Sequence, residues 1–257
     1  MLKLGFLIIR SLAMKQCAKM KQQIEIIYQD ENILVVNKPS GMFVIPGRNI
    51  YENETLVEIL RNQLKQKLWV VHIIDRDASG VLVFAKNPET HRNISVQFEN
   101  SKIRKKYIAL LSGVLEENEG TINKPLIISG KNVRIDITGK ESITDFKVLE
   151  NFRSYTLVNA LPLTVKRHQI RIHFWSLGHP LAIDGEYGTL DPIFLSSFKR
   201  GYKIKKDKTE NPLISRLTLH AAALTLILPG SGEEKTFEAA LAKDFEVAVK
   251  QLRKYGR

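Results

Sequence analysis

The chain has 257 residues, of which 44% are hydrophobic and 26% charged, as is typical of a folded globular protein with a substantial core. Its 39 lysines and arginines exceed its 27 acidic residues, so the formal net charge is +12. This excess favours a polyanionic partner, nucleic acid ahead of an anionic membrane, although a basic surface can also serve solubility alone.

The sequence gives no indication of an intramolecular disulfide or of a membrane-spanning helix. Its single cysteine, Cys17, leaves no partner for an intramolecular disulfide, which suits a reducing compartment such as the cytoplasm. No apolar run approaches the ~18 residues of a membrane-spanning helix, so we expect no membrane partner. Residues 1–23 show no strong pattern, and we expect them to form an N-terminal extension outside a single domain at 24–257.

Hydrophobic periodicity predicts the elements in chain order. Alternating or continuous apolar runs predict strands at residues 24–28, 33–36, 81–86, 146–149, 155–161, 217–219 and 224–228. Leucines spaced by four, behind a Thr55/Glu58 capping box, predict a helix over 55–68. Asn87-Pro88 starts a second helix that runs to about Asn100, and a closing helix begins at Asp244.

A further helix is predicted ahead of Gly178 and Pro180, which end it. One of its faces is apolar and packs in the core: Ile170, His173, Phe174 and Leu177. A second face, spaced by four, can lean over an anion: Arg167, Arg171 and Trp175. Because these elements are interspersed with hairpins and do not alternate strictly, the predicted class is α+β, with a mixed, mainly antiparallel sheet flanked by helices.

The organising stretch lies between His72 and Gly80, ahead of the strand at 81–86. Its acid, Asp75, follows two isoleucines, and a carboxylate beside apolar side chains is costly unless a cation or several donors satisfy it. Asp75 is therefore either a structural acid locked to a basic partner or a reactive acid positioned by one, and alone it favours the structural reading.

The common enzyme signatures do not occur. The chain has no glycine-rich phosphate loop, no G-x-S-x-G and no CxxC pair. His168 and His173 are five residues apart and would point about 140° away from each other on a helix, which disfavours a chelating pair. Taken singly, Tyr107 fits a core aromatic and the basic run at 199–208 fits a solvated surface.

Five motifs in order together resemble the RluA-type RNA pseudouridine synthase family. The stretch His72 to Gly80 resembles H-R-L-D-x-x-T-S-G, and residues 35–41 resemble V-V-N-K-P-x-G. Tyr107-Ile108-Ala109, with Gly113, resembles Y-x-A-x-x-x-G. Residues 168–188 resemble H-Q-I-R-x-H…L-G-H-P…D-x-x-Y-G, and residues 219–245 resemble L-H-A…L…D-F. The resemblance spans about residues 24–250.

The resemblance implies that uridine in RNA, ribosomal (large-subunit) or transfer RNA, is converted to pseudouridine without cofactor or metal. It implies that Asp75 is the catalytic acid residue, that Arg171 pairs with it, and that Tyr107 stacks on the displaced uracil. The target base must be extruded to be reached. The residues expected to hold RNA are Arg76, Lys105, Lys106, Arg167, His168, Lys203 and Lys205.

Three departures from the family pattern stand out. Ile73 occupies the position of a family arginine that is held to help displace the base, and Ala78 occupies the position of a family threonine. Val165 and Lys166 stand where the family pattern has a glycine and an arginine. The resemblance also leaves no room before residue 24 for the S4-type RNA-binding domain of many relatives, so RNA selection is expected to come from the catalytic domain, acting as a monomer.

Two other functions remain open at the level of the sequence. A non-catalytic RNA-binding protein on the same fold would bind RNA with a steep salt dependence and be indifferent to Asp75. A metal-dependent nuclease or hydrolase would lose its activity to EDTA, although the chain offers no ligand cluster for it.

Overall fold

The computed structural model describes residues 23–47, 55–130, 132–204 and 209–257. The predicted extension at 1–23 lies outside this part except for its last residue. The strands of the described part are β1 Glu25–Gln29, β2 Ile33–Lys38, β3 Trp69–Val70, β4 Ser79–Ala85, β5 Arg104–Ser112, β6 Glu119–Asn123, β7 Leu126–Ser129, β8 Asn132–Ile135, β9 Ile143–Asn151, β10 Tyr155–Pro162, β11 Leu219–Ile227 and β12 Glu234–Glu238. The helices are α1 Leu56–Leu64, α2 Pro88–Glu99, α3 Gln169–Trp175 and α4 Lys243–Tyr255, with a 3-10 turn at Leu195–Ser197.

Ten of these strands form one twisted sheet in the order β1-β2-β4-β11-β5-β10-β9-β6, with β3 beside β4 and β12 beside β11. Strands β7 and β8 form a separate hairpin. Of the strand pairs in the described part, β4 with β11 is parallel and the others are antiparallel. This confirms the predicted α+β class with a mixed, mainly antiparallel sheet.

Burial explains why the local patterns predicted these elements. All seven residues of β4 are buried, as a continuous apolar run in the middle of a sheet requires. Asn87 accepts a hydrogen bond from the Thr90 amide at 2.8 Å, which caps α2. The apolar side of α4 packs into the core through Phe245, Ala248, Val249 and Leu252.

The structure differs from the predicted elements in both boundaries and number. Helix α1 ends at Leu64 instead of residue 68, because Lys65 adopts a left-handed conformation (φ 52°). The separate strands predicted at 217–219 and 224–228 form the single strand β11, buried along its central length. Strand β12 was not predicted, because its only buried residue is Phe237 and the rest of it is charged or polar.

The parallel contact between β4 and β11 fixes the start of β4 beside Ala221. Gly80 has a positive φ of 117°, and a Cβ added there would lie 2.1 Å from the Ala221 carbonyl oxygen. The two backbones can meet this closely only because the residue is glycine. The loop at 71–78 is thereby anchored at its C-terminal end to the centre of the sheet.

We therefore expect Gly80→Ala to lower the free energy of unfolding by about 2–5 kcal/mol, because it combines backbone strain with overpacking. Gly178→Ala is the matched control, since Gly178 also has a positive φ (82°) but has nothing within 4 Å of the added Cβ. The control should lose only the strain, about 1–2 kcal/mol. Urea unfolding of both variants measures the difference, and equal losses would contradict the close contact.

Candidate active site

The loop carrying Asp75 is held from below by Lys38 at the end of β2. The Lys38 side chain is fully buried, and its Nζ donates to the backbone oxygens of Arg76 and Ala78 at 2.8 Å and of Pro39 at 2.9 Å. Burial lowers the pKa of Lys38 to about 7, while Asp77 and Asp75 act to raise it. Three carbonyl acceptors match the three N–H groups of an ammonium, so this arrangement suits the charged form.

Two histidines fix the ends of the same loop. The Val83 amide donates to His72 Nε2 at 3.1 Å, and the His72 ring lies 4.9 Å from that of Phe98. Burial lowers the pKa of His72 to about 3, so it is neutral and serves as an anchor. At the other end Ser79 Oγ lies 2.9 Å from Nδ1 of buried His220. These contacts hold both ends of the His72–Gly80 stretch in place.

Asp75 meets Arg171, as the sequence predicted. Arg171 Nη1 donates to Asp75 Oδ2 at 3.2 Å, while its Nε and Nη2 donate to the two carboxylate oxygens of Asp184 at 2.7 and 2.6 Å. The side chains of Arg171 and Asp184 are 8% and 0% exposed, against 24% for Asp75. Arg171 is therefore clamped by a fully buried acid and presents its remaining edge to a more accessible one.

The charges of this group reinforce one another. Burial acts to lower the pKa of Arg171, but the hydrogen bonds to Asp184 and the charges of Asp75, Asp184 and Glu186 raise it well above its ordinary value. Burial would raise the pKa of Asp184, yet hydrogen bonds and charge from Arg171 hold it below its usual range. The guanidinium stays positive throughout, so it compensates a negative charge on Asp75.

His168 completes the surroundings of Asp75. Its Nε2 lies 3.7 Å from Asp75 Oδ1, and its Nδ1 lies 2.8 Å from Glu186 Oε2 and 3.1 Å from the Tyr187 hydroxyl. Burial lowers the pKa of His168, while Asp75 and Glu186 oppose the shift. A side chain that is 7% exposed is largely covered, so His168 supports the acid more directly than it offers a surface for RNA.

The predicted helix face of Arg167, Arg171 and Trp175 does not form. His168 takes a left-handed conformation (φ 54°), so α3 starts only at Gln169 and Arg167 lies in the loop before it. Trp175 ends the helix half exposed, while Arg171 is buried against Asp184. Residues spaced by four share a face only on a helix, and the backbone before Gln169 is not helical, so Arg167 does not share a face with Arg171.

Strand β5 supplies the floor of the site, and its two faces differ. Lys105 and Tyr107 line the same cleft as Asp75. Burial raises the pKa of the Tyr107 hydroxyl, with Asp75 adding to the effect, so the phenol stays protonated. Lys106 points to the opposite face and pairs with Glu238 at 3.7 Å, because side chains alternate along a strand. Lys106 does not line the cleft, and its expected contact with RNA stays a prediction.

Asp75 opens into a cleft of about 890 Å³. Four of the residues expected to hold RNA line it, together with Lys166, Arg216 and Glu186: Arg76, Lys105, Arg167 and His168. Lys203 is exposed and does not line the cleft, and Lys205 lies outside the described residues. The acid therefore faces a basin large enough for a nucleotide-sized ligand and does not point into a closed core.

Sequence reasoning assigned no role to Asp184, Lys38 or Glu186. A signal existed for the first two: both lie within the matched motifs, at the D of D-x-x-Y-G and the K of V-V-N-K-P-x-G. Their function depends on contacts across the fold, which spacing does not reveal.

Neither a metal cluster nor a membrane span is found in the described part of the chain. No group of three or more His, Cys, Asp or Glu side chains there is arranged to hold a metal ion. None of the helices at 23–47, 55–130, 132–204 and 209–257 is long and apolar enough to cross a membrane.

Known proteins resemble this chain in sequence and in fold. The family model described as RNA pseudouridylate synthase matches residues 32–176. Ribosomal large subunit pseudouridine synthase C of Buchnera aphidicola subsp. Baizongia pistaciae is 38% identical over 88% of this chain and 70% of the relative. Ribosomal large subunit pseudouridine synthase D of Zymomonas mobilis is 32% identical over 89% of this chain and 73% of the relative.

Among solved structures, human RNA pseudouridylate synthase domain containing 4 superimposes with a TM-score of 0.67 and 22% identity. The match covers 89% of this chain and 93% of the human one. At that identity the likeness shows the fold alone, and it confirms the architecture that the motifs implied.

The buried clamp on Arg171 leads to a stability prediction with a defined pH dependence. Asp184→Asn should cost about 3 kcal/mol at neutral pH, because it leaves a buried guanidinium short of an anion. The folded-state pKa of Asp184 is lowered, so its contribution is complete above its unfolded value near ~4 and is lost as the pH falls towards the lowered value. Urea unfolding at several pH values should therefore show the gap to wild type closing in acid.

Asp244→Asn is the matched control for this measurement. Asp244 makes the same two-pronged contact, with Arg216, at 2.7 Å for both bonds, but its side chain is 39% exposed. Solvent screening should reduce its loss to roughly 1 kcal/mol. A loss for Asp184→Asn that is as small, or that does not vary with pH, would contradict the clamp.

Proposed function

The chain belongs to the family of RNA pseudouridylate synthases, isomerases that convert uridine in RNA to pseudouridine, and from this premise we propose that Asp75 is its catalytic residue. The observation that carries the proposal is the contact between the Asp75 carboxylate and Arg171 at the wall of an open cleft. The contact gives the partly buried carboxylate of Asp75 a permanent counter-charge while leaving it accessible to a uracil base.

The reaction requires few groups. The bond between N1 of uracil and C1′ of the ribose breaks, the base rotates, and a bond from C5 to C1′ forms; C5 then loses its proton and N1 gains one. Asp75 can act as a nucleophile on the ring or the sugar, or as a base on the sugar, and can then accept the C5 proton. In each of these roles the guanidinium of Arg171, 3.2 Å away, compensates negative charge on the carboxylate.

Tyr107 is proposed to receive the face of the displaced uracil. It lies on the cleft floor with Lys105, and its buried hydroxyl stays protonated, so the ring presents no negative charge to the base. Stacking of a base on an aromatic ring contributes about 1–3 kcal/mol. Because Asp75 sits inside the cleft, the uridine has to be extruded from its stack to reach it.

The proposed substrate is ribosomal RNA of the large subunit, with transfer RNA as the second candidate. The names of the two relatives favour the first. Lys166 and Arg167 line the cleft and form no ion pair with a carboxylate of the described residues, so they are available to RNA phosphates, whereas Lys105 lines the cleft but is largely buried. We propose that the protein acts in the cytoplasm as a monomer.

Asp75→Asn should abolish turnover while leaving RNA binding intact, because the amide keeps the shape of the acid but cannot serve as a base or a nucleophile. The assay is tritium release from RNA labelled at uridine C5, with ribosomal and transfer RNA tested separately. Asp145→Asn, which alters a carboxylate on β9 bonded to Thr121, is the control and should match wild type. Unchanged release by Asp75→Asn would end the proposal.

Arg171→Lys should slow turnover at least about 100-fold, because an ammonium cannot bond both oxygens of Asp184 and still reach Asp75. Arg171→Ala should in addition lose about 3–5 kcal/mol of stability, since it strands the buried carboxylate of Asp184 and removes the counter-charge of Asp75. Tritium release and urea unfolding separate the two effects. Near-wild-type activity in both variants would show that the Asp75–Arg171 contact does not matter to catalysis.

A further inference from the structure

An unusual set of apolar side chains surrounds the mouth of the cleft. Five large hydrophobic residues that line it are also exposed, by 37% to 71%: Phe43, Ile45, Ile73, Val165 and Leu190. Single exposed hydrophobic residues are ordinary on a protein surface, but a group around one opening marks a binding site. We call these five residues the apolar rim.

Separate segments of the chain bring the apolar rim to the cleft that holds Asp75. Ile73 is 58% exposed although its neighbour Ile74 in the same loop is buried, so the loop directs one isoleucine into the core and the other to solvent, two residues before Asp75. Val165, in the loop that leads into α3, is 55% exposed and lines the same cleft. A ligand in this cleft therefore meets exposed apolar side chains as well as the acid.

Cations are interleaved with the rim. The guanidinium carbon of Arg76 lies over the Phe43 ring, 5.1 Å from its centre, so a positive charge is held against the aromatic side chain of the rim. Lys166 and Arg167 directly follow Val165, and neither pairs with a carboxylate of the described residues. Flat apolar surface next to uncompensated positive charge complements an unpaired nucleotide, whose base has a π-face and whose phosphate is anionic.

We propose that the apolar rim binds the faces of the nucleotides that flank the target uridine, and that the preferred substrate is a uridine in a loop or bulge. The inference rests on the proposed function and concerns its substrate. Unstacked bases offer their faces without the cost of opening a helix, whereas bases within a continuous duplex are already stacked on one another. The rim would thus select RNA by structure as well as by charge.

The test uses two short RNAs that contain the same uridine and neighbours, one in a hairpin loop and one in a continuous duplex. Each carries 2-aminopurine next to the uridine, whose fluorescence reports stacking. Wild type should bind the loop RNA more tightly and change its fluorescence on binding. Phe43→Ala and Ile73→Ser should each weaken binding to the loop RNA by about 5- to 100-fold, and should narrow the difference between loop and duplex.

Ile137→Ser is the matched control, because Ile137 is 92% exposed in the turn before β9 and does not line the cleft. It should bind both RNAs as wild type does. The salt dependence of binding separates apolar from ionic contacts: Ile73→Ser should keep the wild-type slope, whereas Lys166→Ala should reduce it by about one. All positions changed are exposed or partly exposed, so thermal melts should be close to wild type.

Phe43→Ala and Ile73→Ser proteins that bind and discriminate the two RNAs as wild type does would overturn the inference and assign the rim to another partner. That result differs from a failure of the proposed function, in which wild type itself releases no tritium from any RNA. The fluorescence measurement requires binding only, so it tests the rim in either case.

Discussion

The site depends on the way in which one guanidinium is shared between two acids. Asp184 bonds the Nε and Nη2 edge of Arg171 and thereby fixes the plane of the group. Only Nη1 is left to meet Asp75, so the position of the accessible acid follows from that of the buried one. Burying Arg171 and Asp184 costs desolvation free energy. In exchange, the pair holds a rigid positive charge against the carboxylate of Asp75, which must remain reachable.

The sheet brings these groups together from distant parts of the chain. Asp75 precedes β4, Arg171 follows β10 on α3, and Asp184 lies 13 residues further on. Strand β5 passes between β11 and β10 and places Tyr107 beneath Asp75, packed against the clusters on both sides. Lys38 and Gly80 then fix the C-terminal half of the loop, Lys38 through the carbonyls of Arg76 and Ala78 and Gly80 through a backbone contact that tolerates no Cβ.

Local pattern predicted what local forces determine. The buried run of β4, the proline start of α2 and the apolar stripe of α4 were all readable, because burial and capping decide them within a few residues. Patterns did not predict helix ends that depend on one backbone angle. Positive φ angles at Lys65 and His168 make two helices shorter than the pattern suggests. Patterns also could not separate Lys105 from Lys106, since the face that each occupies depends on the register of β5 with its neighbours.

The motifs identified the acid and its arginine, but not the reason that they work as a pair. A basic cleft alone would attract RNA to Asp75 without distinguishing a stacked uridine from an extruded one. In the proposed function, positive side chains hold phosphates, the clamp on Arg171 positions a counter-charge 3.2 Å from Asp75, and the exposed apolar residues of the cleft meet base faces. These three proposed tasks require different chemistry, and different side chains are available for each. Rearranging the RNA-facing residues could therefore change which uridine is chosen while leaving the Asp75–Arg171–Asp184 group untouched.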